Sequence, residues 1–271
     1  KHLSAHLGPG FCPTRTKVSM LSEGHGVVHY NSINFTFEGK TQTEFIEWTE
    51  KSIDDKIARY LQRHLQSKCV NPADVVHVQA VVGGDHGDTA FQFGASVSVE
   101  LRNGEIIDFE VSACKLICRK DTAKLIEATI LPMLTSGLKV VAMSPLHIYK
   151  DNQGIILCMF GITPEHGTVH TIQKVDVYVT GDLAFQAMAM GKESMSGHWC
   201  MQCTKQMGVN LTPAQLNEIE MWTMERLCML GDEAEKQNGG EPQFGVKQKP
   251  WWPFIPVTHY MFPLLHCEIG I

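Results

Sequence analysis

The segment from residue 75 to residue 114 constrains the fold more than any other part of the sequence. It begins with a β-branched run, Val75–Val82, and continues with apolar residues that alternate strictly from Phe91 to Leu101. The chain then returns along Ile106–Cys114, after an Asn103-Gly104 pair that is typical of a two-residue hairpin turn. This pattern predicts three consecutive strands joined by tight connections.

The elements that follow predict a mixed sheet with helices. We expect a helix from Asp121 to about Leu134, a hairpin over residues 139–161 that adds to the sheet, and a strand Val175–Thr180. A further helix is expected to begin at Leu183. The predicted order is therefore β-β-β-α, then a hairpin, then β-α. Because the last strand and helix must cross over the meander, we predict an α/β fold with helices packed on a mixed sheet.

Three regions are predicted along the chain. Residues 1–72 are expected to be irregular up to residue 40, apart from short strands, and then to form one amphipathic helix from Thr43 to Leu65. Residues 73–195 form the predicted core. Residues 196–271 form a helical region that includes a helix from Thr212 to about Leu230. Because the sequence stops inside an apolar stretch, we expect this last region to be truncated.

Composition limits the classes of protein to consider. The chain has 23 Lys and Arg against 29 Asp and Glu, a net charge of −6, so any nucleic-acid surface must be local. Apolar residues make up 44% of the chain, which favours a packed core over disorder. Apolar runs are short, so we predict no transmembrane span. The nine cysteines are odd in number, which favours a reducing compartment where a Cys pair is first considered as a metal site.

The first candidate site is Gly83-Gly84-Asp85-His86-Gly87-Asp88, directly after the predicted strand that ends at Val82. Glycines allow the backbone to turn sharply, which would leave Asp85 at the lip of the sheet, where a ligand or ion can approach. The alternative is a polar turn between two strands, without a function. This motif alone does not decide between the two.

The second candidate is Asp182, which follows Gly181 at the end of a later predicted strand. An Asp between a strand and a helix is commonly an N-cap, and that is the structural alternative. Two carboxylates at the C-terminal ends of two strands in one sheet could also converge on hard cations such as Mg²⁺. Asp85 and Asp182 are therefore candidate ligands of a two-metal site.

The third candidate is Cys200-Met-Gln-Cys203, a C-x-x-C pair that begins 18 residues after Asp182. Thiolates at this spacing can bind one Zn²⁺ if two more ligands are supplied, and His259 and His266 are the downstream candidates. The alternatives are a redox pair or an unliganded core pair for the cysteines. Either histidine could instead be a core residue with its hydrogen bonds satisfied.

Together these features resemble the RNase H-like core of DDE transposases. The most similar group contains Transib-type transposases and the catalytic subunit of the V(D)J recombinase, including transposon-derived open reading frames related to them. Four features over residues 75–271 carry the resemblance by their order and spacing: Gly-Gly-Asp85-His-Gly-Asp with a hairpin behind it, Gly-Asp182-Leu, the Cys200/Cys203 pair, and Pro-Leu-Leu-His266-Cys-Glu-Ile-Gly.

The resemblance implies an activity and a set of cofactors. The fold would be RNase H-like, with a zinc-binding helical insertion towards the C-terminus. Asp85 and Asp182 would be catalytic acids that hold two Mg²⁺ or Mn²⁺ ions, and the domain would cut and join DNA phosphodiesters at transposon ends or recombination sites. The resemblance implies a nuclear location and no membrane partner. It also allows the protein to assemble as a homodimer. One structural Zn²⁺ would be bound by Cys200, Cys203, His266 and also His259.

The family's third acid, a Glu on a helix after the histidines, has no secure match here. Glu268 is the only acid after His266, and it lies two residues from that candidate ligand. Either the chain stops before the third acid, or the protein is a degenerate relative. The alternative function is therefore a catalytically inactive, domesticated or fragmentary zinc-binding scaffold protein associated with DNA. A single-strand RNA nuclease is disfavoured, because that simpler fold does not need the zinc module.

Overall fold

The computed structural model describes residues 28–37, 40–49, 52–87, 90–118, 122–162, 164, 168–192, 200–205, 212–237 and 243–261. This part of the chain is an α/β protein, as the sequence predicts, with a mixed sheet and helices packed against it. The three predicted regions, residues 1–72, 73–195 and 196–271, remain a prediction.

The described residues form nine strands. Their bounds are β1 (Val28–Phe37), β2 (Lys40–Thr49), β3 (Val75–Gly87), β4 (Ala90–Leu101), β5 (Ile106–Ile117), β6 (Leu146–Lys150), β7 (Ile156–Phe160), β8 (Val169–Ile172) and β9 (Asp176–Gly181). The predicted meander is confirmed as β3, β4 and β5, and the later predicted strand is confirmed as β9.

The same residues form six α-helices and three short 3-10 turns. The α-helices are α1 (Ile53–Ser67), α2 (Ala123–Thr129), α3 (Leu131–Met143), α4 (Leu183–Ala189), α5 (Pro213–Leu216) and α6 (Met224–Lys236). The 3-10 turns are Pro72–Asp74, Gln243–Gly245 and Val257–His259. No single described helix is long and apolar enough to cross a membrane; only the bent pair of α2 and α3, with 73° between them, reaches that length and composition.

The larger sheet has the strand order β1-β2-β5-β4-β3-β9, and a smaller sheet has the order β7-β6-β8. Neighbouring strands are antiparallel, with one exception: β3 and β9 are parallel. The chain leaves the sheet after β5 and passes through α2, α3 and the small sheet before it returns along β9. This crossover is what places the end of β9 beside β3.

One face of the larger sheet carries the core. In β4 the residues Phe91, Phe93, Ala95, Val97, Val99 and Leu101 are buried, and Gln92, Ser96 and Glu100 between them are exposed. Alternation of this kind follows from the two-residue period of a strand. Helix α1 covers the buried face with a set of fully buried apolar side chains, Ile57, Leu61 and Leu65. The ring of Tyr60 in α1 stacks on that of Phe109 in β5, with 6.3 Å between centroids.

The predicted helix over residues 43–65 is wrong in its first part. Residues 43–49 lie in β2, which pairs with β1 along its whole length and with β5 from Phe45 to Trp48. The helix begins only at Ile53. Apolar residues at three- and four-residue steps are a local pattern, and pairing with two neighbouring strands overrides it.

The hairpin predicted over residues 139–161 is also corrected. Residues 139–143 belong to α3, and the hairpin is β6 and β7, joined by the turn after Asp151. It pairs with β8 in the separate small sheet and does not extend the larger one. Likewise, the helix predicted from Thr212 to Leu230 is two helices, α5 and α6, and the second continues past Leu230 to Lys236.

Candidate functional site

Asp85 and Asp182 follow residues that are directly paired on adjacent parallel strands. Gly83 of β3 pairs with Thr180 of β9, and Gly84 pairs with Gly181. Asp85 and Asp182 are the residues that directly follow this last pair, and they are 97 residues apart in sequence. Paired strands lie about 4.8 Å apart. The register therefore brings the two acids to the same end of the sheet.

The glycine before each acid is required by packing. A Cβ at Gly84 would overlap the ring of Phe91 and come within 2.9 Å of Cε2 of Phe185. A Cβ at Gly181 would lie 2.6 Å from Cδ1 of Phe185, and Gly181 also has a φ of +139°, which side chains disfavour. The single ring of Phe185 therefore packs against Gly84 inside β3 and against Gly181 at the end of β9, directly before the two acids.

Asp182 is the N-cap of α4, so the predicted capping role is confirmed. Its Oδ1 accepts a hydrogen bond of 2.7 Å from the backbone N–H of Phe185. The residue is exposed. Capping uses one carboxylate oxygen, and Oδ2 forms no hydrogen bond with any described residue. The cap therefore orients the carboxylate and leaves an oxygen that a cation can bind.

Asp85 lies inside β3, and this corrects the prediction that the strand ends at Val82 and gives way to a turn. Residues 83–87 continue β3 and pair with β4, and Asp85 is opposite Gln92. Asp85 is exposed, and no hydrogen bond or ion pair joins its carboxylate to another described residue. The half-buried His86 bonds instead to the carbonyl oxygen of Cys118, at 3.2 Å. The exposed carboxylate of Asp85 is therefore accessible to a cation.

The acid pair suits a hard divalent cation, because Mg²⁺ and Mn²⁺ prefer carboxylate oxygens and retain several waters. Two carboxylates supply only part of a two-metal site. Across the described ranges, no group of three or more His, Cys, Asp or Glu side chains is close enough to hold one metal ion. The described residues therefore bring no third His, Cys, Asp or Glu side chain to these two acids.

Cys200 and Cys203 are close together in a short loop. Their thiols interact with each other, and the backbone N–H of Gln202 points to the Cys200 sulfur at 3.4 Å. Burial raises the pKa of the Cys203 thiol, and the backbone N–H of Lys205 opposes this shift. The loop is held by the bridge between Cys203 and Met221. Two sulfurs that face backbone N–H groups fit half of a tetrahedral Zn²⁺ site.

Lys192 lies beside this pair and is a residue that the sequence analysis missed. Only 6% of its surface is exposed; its Nζ donates a 2.6 Å hydrogen bond to the Cys200 carbonyl and lies 4.4 Å from the centroid of the Trp222 ring. Burial lowers the pKa of Lys192 to about 8, and the sulfurs of Cys200 and Cys203 oppose this shift. A lysine outside any motif gave no signal in the sequence.

The structure does not bring His259 to the cysteine pair within the described residues. His259 ends the turn Val257–His259, where its Nδ1 donates a 2.8 Å hydrogen bond to the Val177 carbonyl and its ring stacks on Tyr178 at 4.5 Å. This geometry leaves Nε2 free of described hydrogen-bond partners. The other proposed histidine ligand, His266, lies outside the described residues.

A second missed residue is Gln186. It is fully buried in α4, one helical turn after Asp182. Its amide nitrogen donates hydrogen bonds to the backbone carbonyls of Gly181 and Met261. The sequence does contain a signal for it, because Gln186 is the only polar residue within the otherwise apolar stretch Leu183–Ala189. A polar residue at this place in a buried helix needs hydrogen-bond partners.

Comparison of this chain with protein-family models, with curated protein sequences and with solved structures finds no significant match.

Proposed function

We propose that this chain contains the catalytic core of a DDE-type polynucleotidyl transferase, with an RNase H-like fold, that cuts and joins DNA phosphodiesters by two-metal-ion catalysis. The observation that carries the proposal is the register of β3 and β9, which pairs Gly84 with Gly181, the residues directly before Asp85 and Asp182.

The order of elements supports the same proposal. Asp85 lies on the first strand of the antiparallel meander β3-β4-β5, and Asp182 directly follows the strand that returns to the sheet after helices α2 and α3. In the transposase family that the sequence resembles, the first acid is on the first core strand and the second follows the fourth. Counted from β3, the strand β9 is the fourth strand of the larger sheet along the chain.

The chain's own residues would act by holding and exposing two carboxylates. The cap to the Phe185 N–H fixes one oxygen of Asp182, and the ring of Phe185 packs closely against Gly84 and Gly181, the residues directly before the two acids. Because both acids are exposed, a DNA backbone can approach them. The divalent ions would supply activation of a water or 3′-hydroxyl nucleophile and stabilisation of the leaving oxygen. The third acid is expected in the protein beyond the described residues.

The Cys200/Cys203 pair would be half of a structural Zn²⁺ site, completed by His266 and one further ligand. His259 is a weaker candidate for that place, because its ring is already held against Tyr178 and the Val177 carbonyl. The zinc would join the loop after α4 to the C-terminal part of the chain. DNA is the proposed partner, with a nuclear location and a homodimer as the proposed assembly.

The test separates capping from metal binding at Asp182. Asparagine is as good an N-cap as aspartate, so Asp182→Asn should keep the melting temperature and lose the charge. We expect Asp182→Asn and Asp85→Asn each to weaken Mn²⁺ binding, measured by electron paramagnetic resonance, and to abolish plasmid cleavage by the full-length protein. The matched control is Asp108→Asn, an exposed acid on β5. Unchanged cleavage and Mn²⁺ binding in both variants would rule out the proposal.

A zinc-binding scaffold without catalysis is the second candidate, because no third acid joins the pair among the described residues. It predicts one bound Zn²⁺ per chain by elemental analysis, together with wild-type DNA binding in Asp85→Asn and Asp182→Asn and no cleavage in any variant. In both candidate functions, Cys203→Ser should remove the Zn²⁺ and the stabilisation that it provides.

A further inference from the structure

We infer that Gln186 is a positioning residue that holds the backbone on both sides of Asp182, and through it the metal-binding acid. This inference rests on the proposed function. It concerns a side chain that touches neither the DNA nor the ions and acts through the Asp182 backbone.

The contacts of Gln186 surround Asp182. Its side-chain Nε2 donates a 3.1 Å hydrogen bond to the carbonyl of Gly181, directly before the acid, and its backbone N–H donates a 3.0 Å bond to the carbonyl of Asp182 itself. The next residue back, Phe185, donates its N–H to the Asp182 carboxylate. Both carbonyls that flank the Asp182 Cα are therefore held by the same residue, and the carboxylate is held by its neighbour.

The same amide joins this site to a distant segment. Nε2 of Gln186 also donates a 2.6 Å hydrogen bond to the carbonyl of Met261. That segment is docked along the outer edge of β9, because the Met261 N–H donates to the Val179 carbonyl at 2.8 Å and Tyr260 forms a parallel bridge with Val179. Gln186 therefore connects the end of β9, the first turn of α4 and the segment 257–261.

The orientation of the Gln186 amide follows from its partners. Both contacts are carbonyl oxygens, which only accept hydrogen bonds, so the amide nitrogen must face them. The amide oxygen then points away and has no hydrogen-bond partner among the described residues, although Gln186 is fully buried. An unpaired buried acceptor is unfavourable. A leucine or methionine would fill the same space without that cost, so packing alone does not explain a glutamine here.

Gly181 explains why its carbonyl needs a fixed donor. Its φ of +139° takes the chain out of the regular strand, and a side chain there would collide with Phe185. The peptide between Gly181 and Asp182 therefore lies where the strand ladder ends and the helix begins. Without the Gln186 donor this peptide can rotate, and the Asp182 carboxylate rotates with it.

The experiment measures Mn²⁺ binding by electron paramagnetic resonance in the 271-residue chain. Gln186→Met keeps the volume and removes the donor, and Gln186→Asn keeps the amide but is one methylene too short to reach both carbonyls. The Asn variant replaces the Met variant if that one does not fold. The matched control is Leu138→Ala, a fully buried residue of α3 whose truncation destabilises the protein without removing a hydrogen-bond donor.

We expect Gln186→Met to weaken Mn²⁺ binding by about 10- to 100-fold, the range seen when a residue that orients a metal ligand is removed. Leu138→Ala should leave the Mn²⁺ affinity unchanged. A Gln186→Met affinity within twofold of wild type, while Asp182→Asn still loses binding, overturns the positioning role and leaves the proposed function standing. An equal loss in Leu138→Ala also overturns the positioning role. If Asp182→Asn binds Mn²⁺ like wild type, the proposed function fails and this inference fails with it.

Discussion

The acid pair and the cysteine loop are two candidate metal sites built in different ways. Asp85 and Asp182 are placed by a ladder of backbone hydrogen bonds between β3 and β9, above fully buried aromatic rings. Cys200 and Cys203 are placed by a short half-buried loop, a single bridge to Met221 and a buried lysine. Both sites have only part of a ligand set among the described residues; the acids follow paired strands, and the cysteines lie in a loop.

The difference indicates how each site should respond to change. A site built on paired strands inherits the rigidity of the sheet, so its geometry depends on the core beneath it. A site built on a loop depends on the metal and on the remaining ligands, since metal binding and local folding are coupled. Substitutions in the core beside the acid pair should therefore lower the free energy of unfolding more than substitutions beside the cysteine loop.

The largest expected effect comes from Trp252→Ala. Trp252 is fully buried and its ring lies 5.8 Å from Phe93 and 6.3 Å from Phe185, below the acid pair. We expect the free energy of unfolding to fall by about 3–5 kcal/mol in urea denaturation. The comparison variant is Trp222→Ala beside the cysteine loop. Mn²⁺ binding should weaken only in the first variant and Zn²⁺ retention only in the second; the reverse result would contradict the separation of the two sites.

A smaller loss is expected for Gly84→Ala. The added methyl group would overlap the ring of Phe91 and press on Phe185, so one of the rings must move. We expect a loss of about 1–3 kcal/mol in the free energy of unfolding, together with weaker Mn²⁺ binding. Gly154→Ala is the control, because its Cβ would meet no atom within 4 Å and only its φ of +78° opposes the change. Wild-type Mn²⁺ binding in Gly84→Ala would show that this packing does not set the acid pair.

At the cysteine loop, Lys192→Met should change stability by less than about 1 kcal/mol. The variant loses the hydrogen bond to the Cys200 carbonyl, but it also removes a buried ammonium group, and these two effects oppose each other. The Cys200 carbonyl keeps its hydrogen bond from Trp222 Nε1, at 3.3 Å. Chemical denaturation of both proteins measures the difference. A loss above about 3 kcal/mol would mean that the loop is as tightly coupled to the core as the acid pair is.

The smallest expected effect concerns pH. The hydrogen bond from His77, at 3.0 Å, holds the pKa of Asp176 below its usual value, and Lys174 contributes. A lowered carboxylate pKa adds stability that is complete above the unfolded value of 3.8 and is lost as pH falls through the folded value. Because both side chains are partly exposed, the contribution is at most a few tenths of a kcal/mol. Denaturation of Asp176→Asn against wild type at pH 7 and pH 3 should show a difference that is smaller at the lower pH.

Much of the larger sheet was predictable from local pattern. Strict alternation in β4, the Asn103-Gly104 turn and the β-branched start of β3 are each signals within a few residues, and all three elements are confirmed. The cap at Asp182 was predictable for the same reason, since a cap depends on its own helix.

The errors share one cause. Residues 43–49 have a helical pattern and form a strand, because β1 and β5 supply partners from other parts of the chain. The motif at residues 83–87 has the composition of a turn and continues β3, because β4 and β9 pair with it on both sides. Gly83 and Gly84 there are needed for close packing and not for a bend.

The amino-acid order alone establishes β3, β4, β5 and β9, the side that β4 buries, and the two acids that follow glycines, because these depend on periods of two residues and on near neighbours. It does not establish that β9 returns beside β3 in a register that aligns Gly84 with Gly181. That alignment is a contact between residues far apart in the chain, and it depends on Phe185 fitting between two glycines and on Gln186 reaching Met261. Only the folded chain brings those groups together.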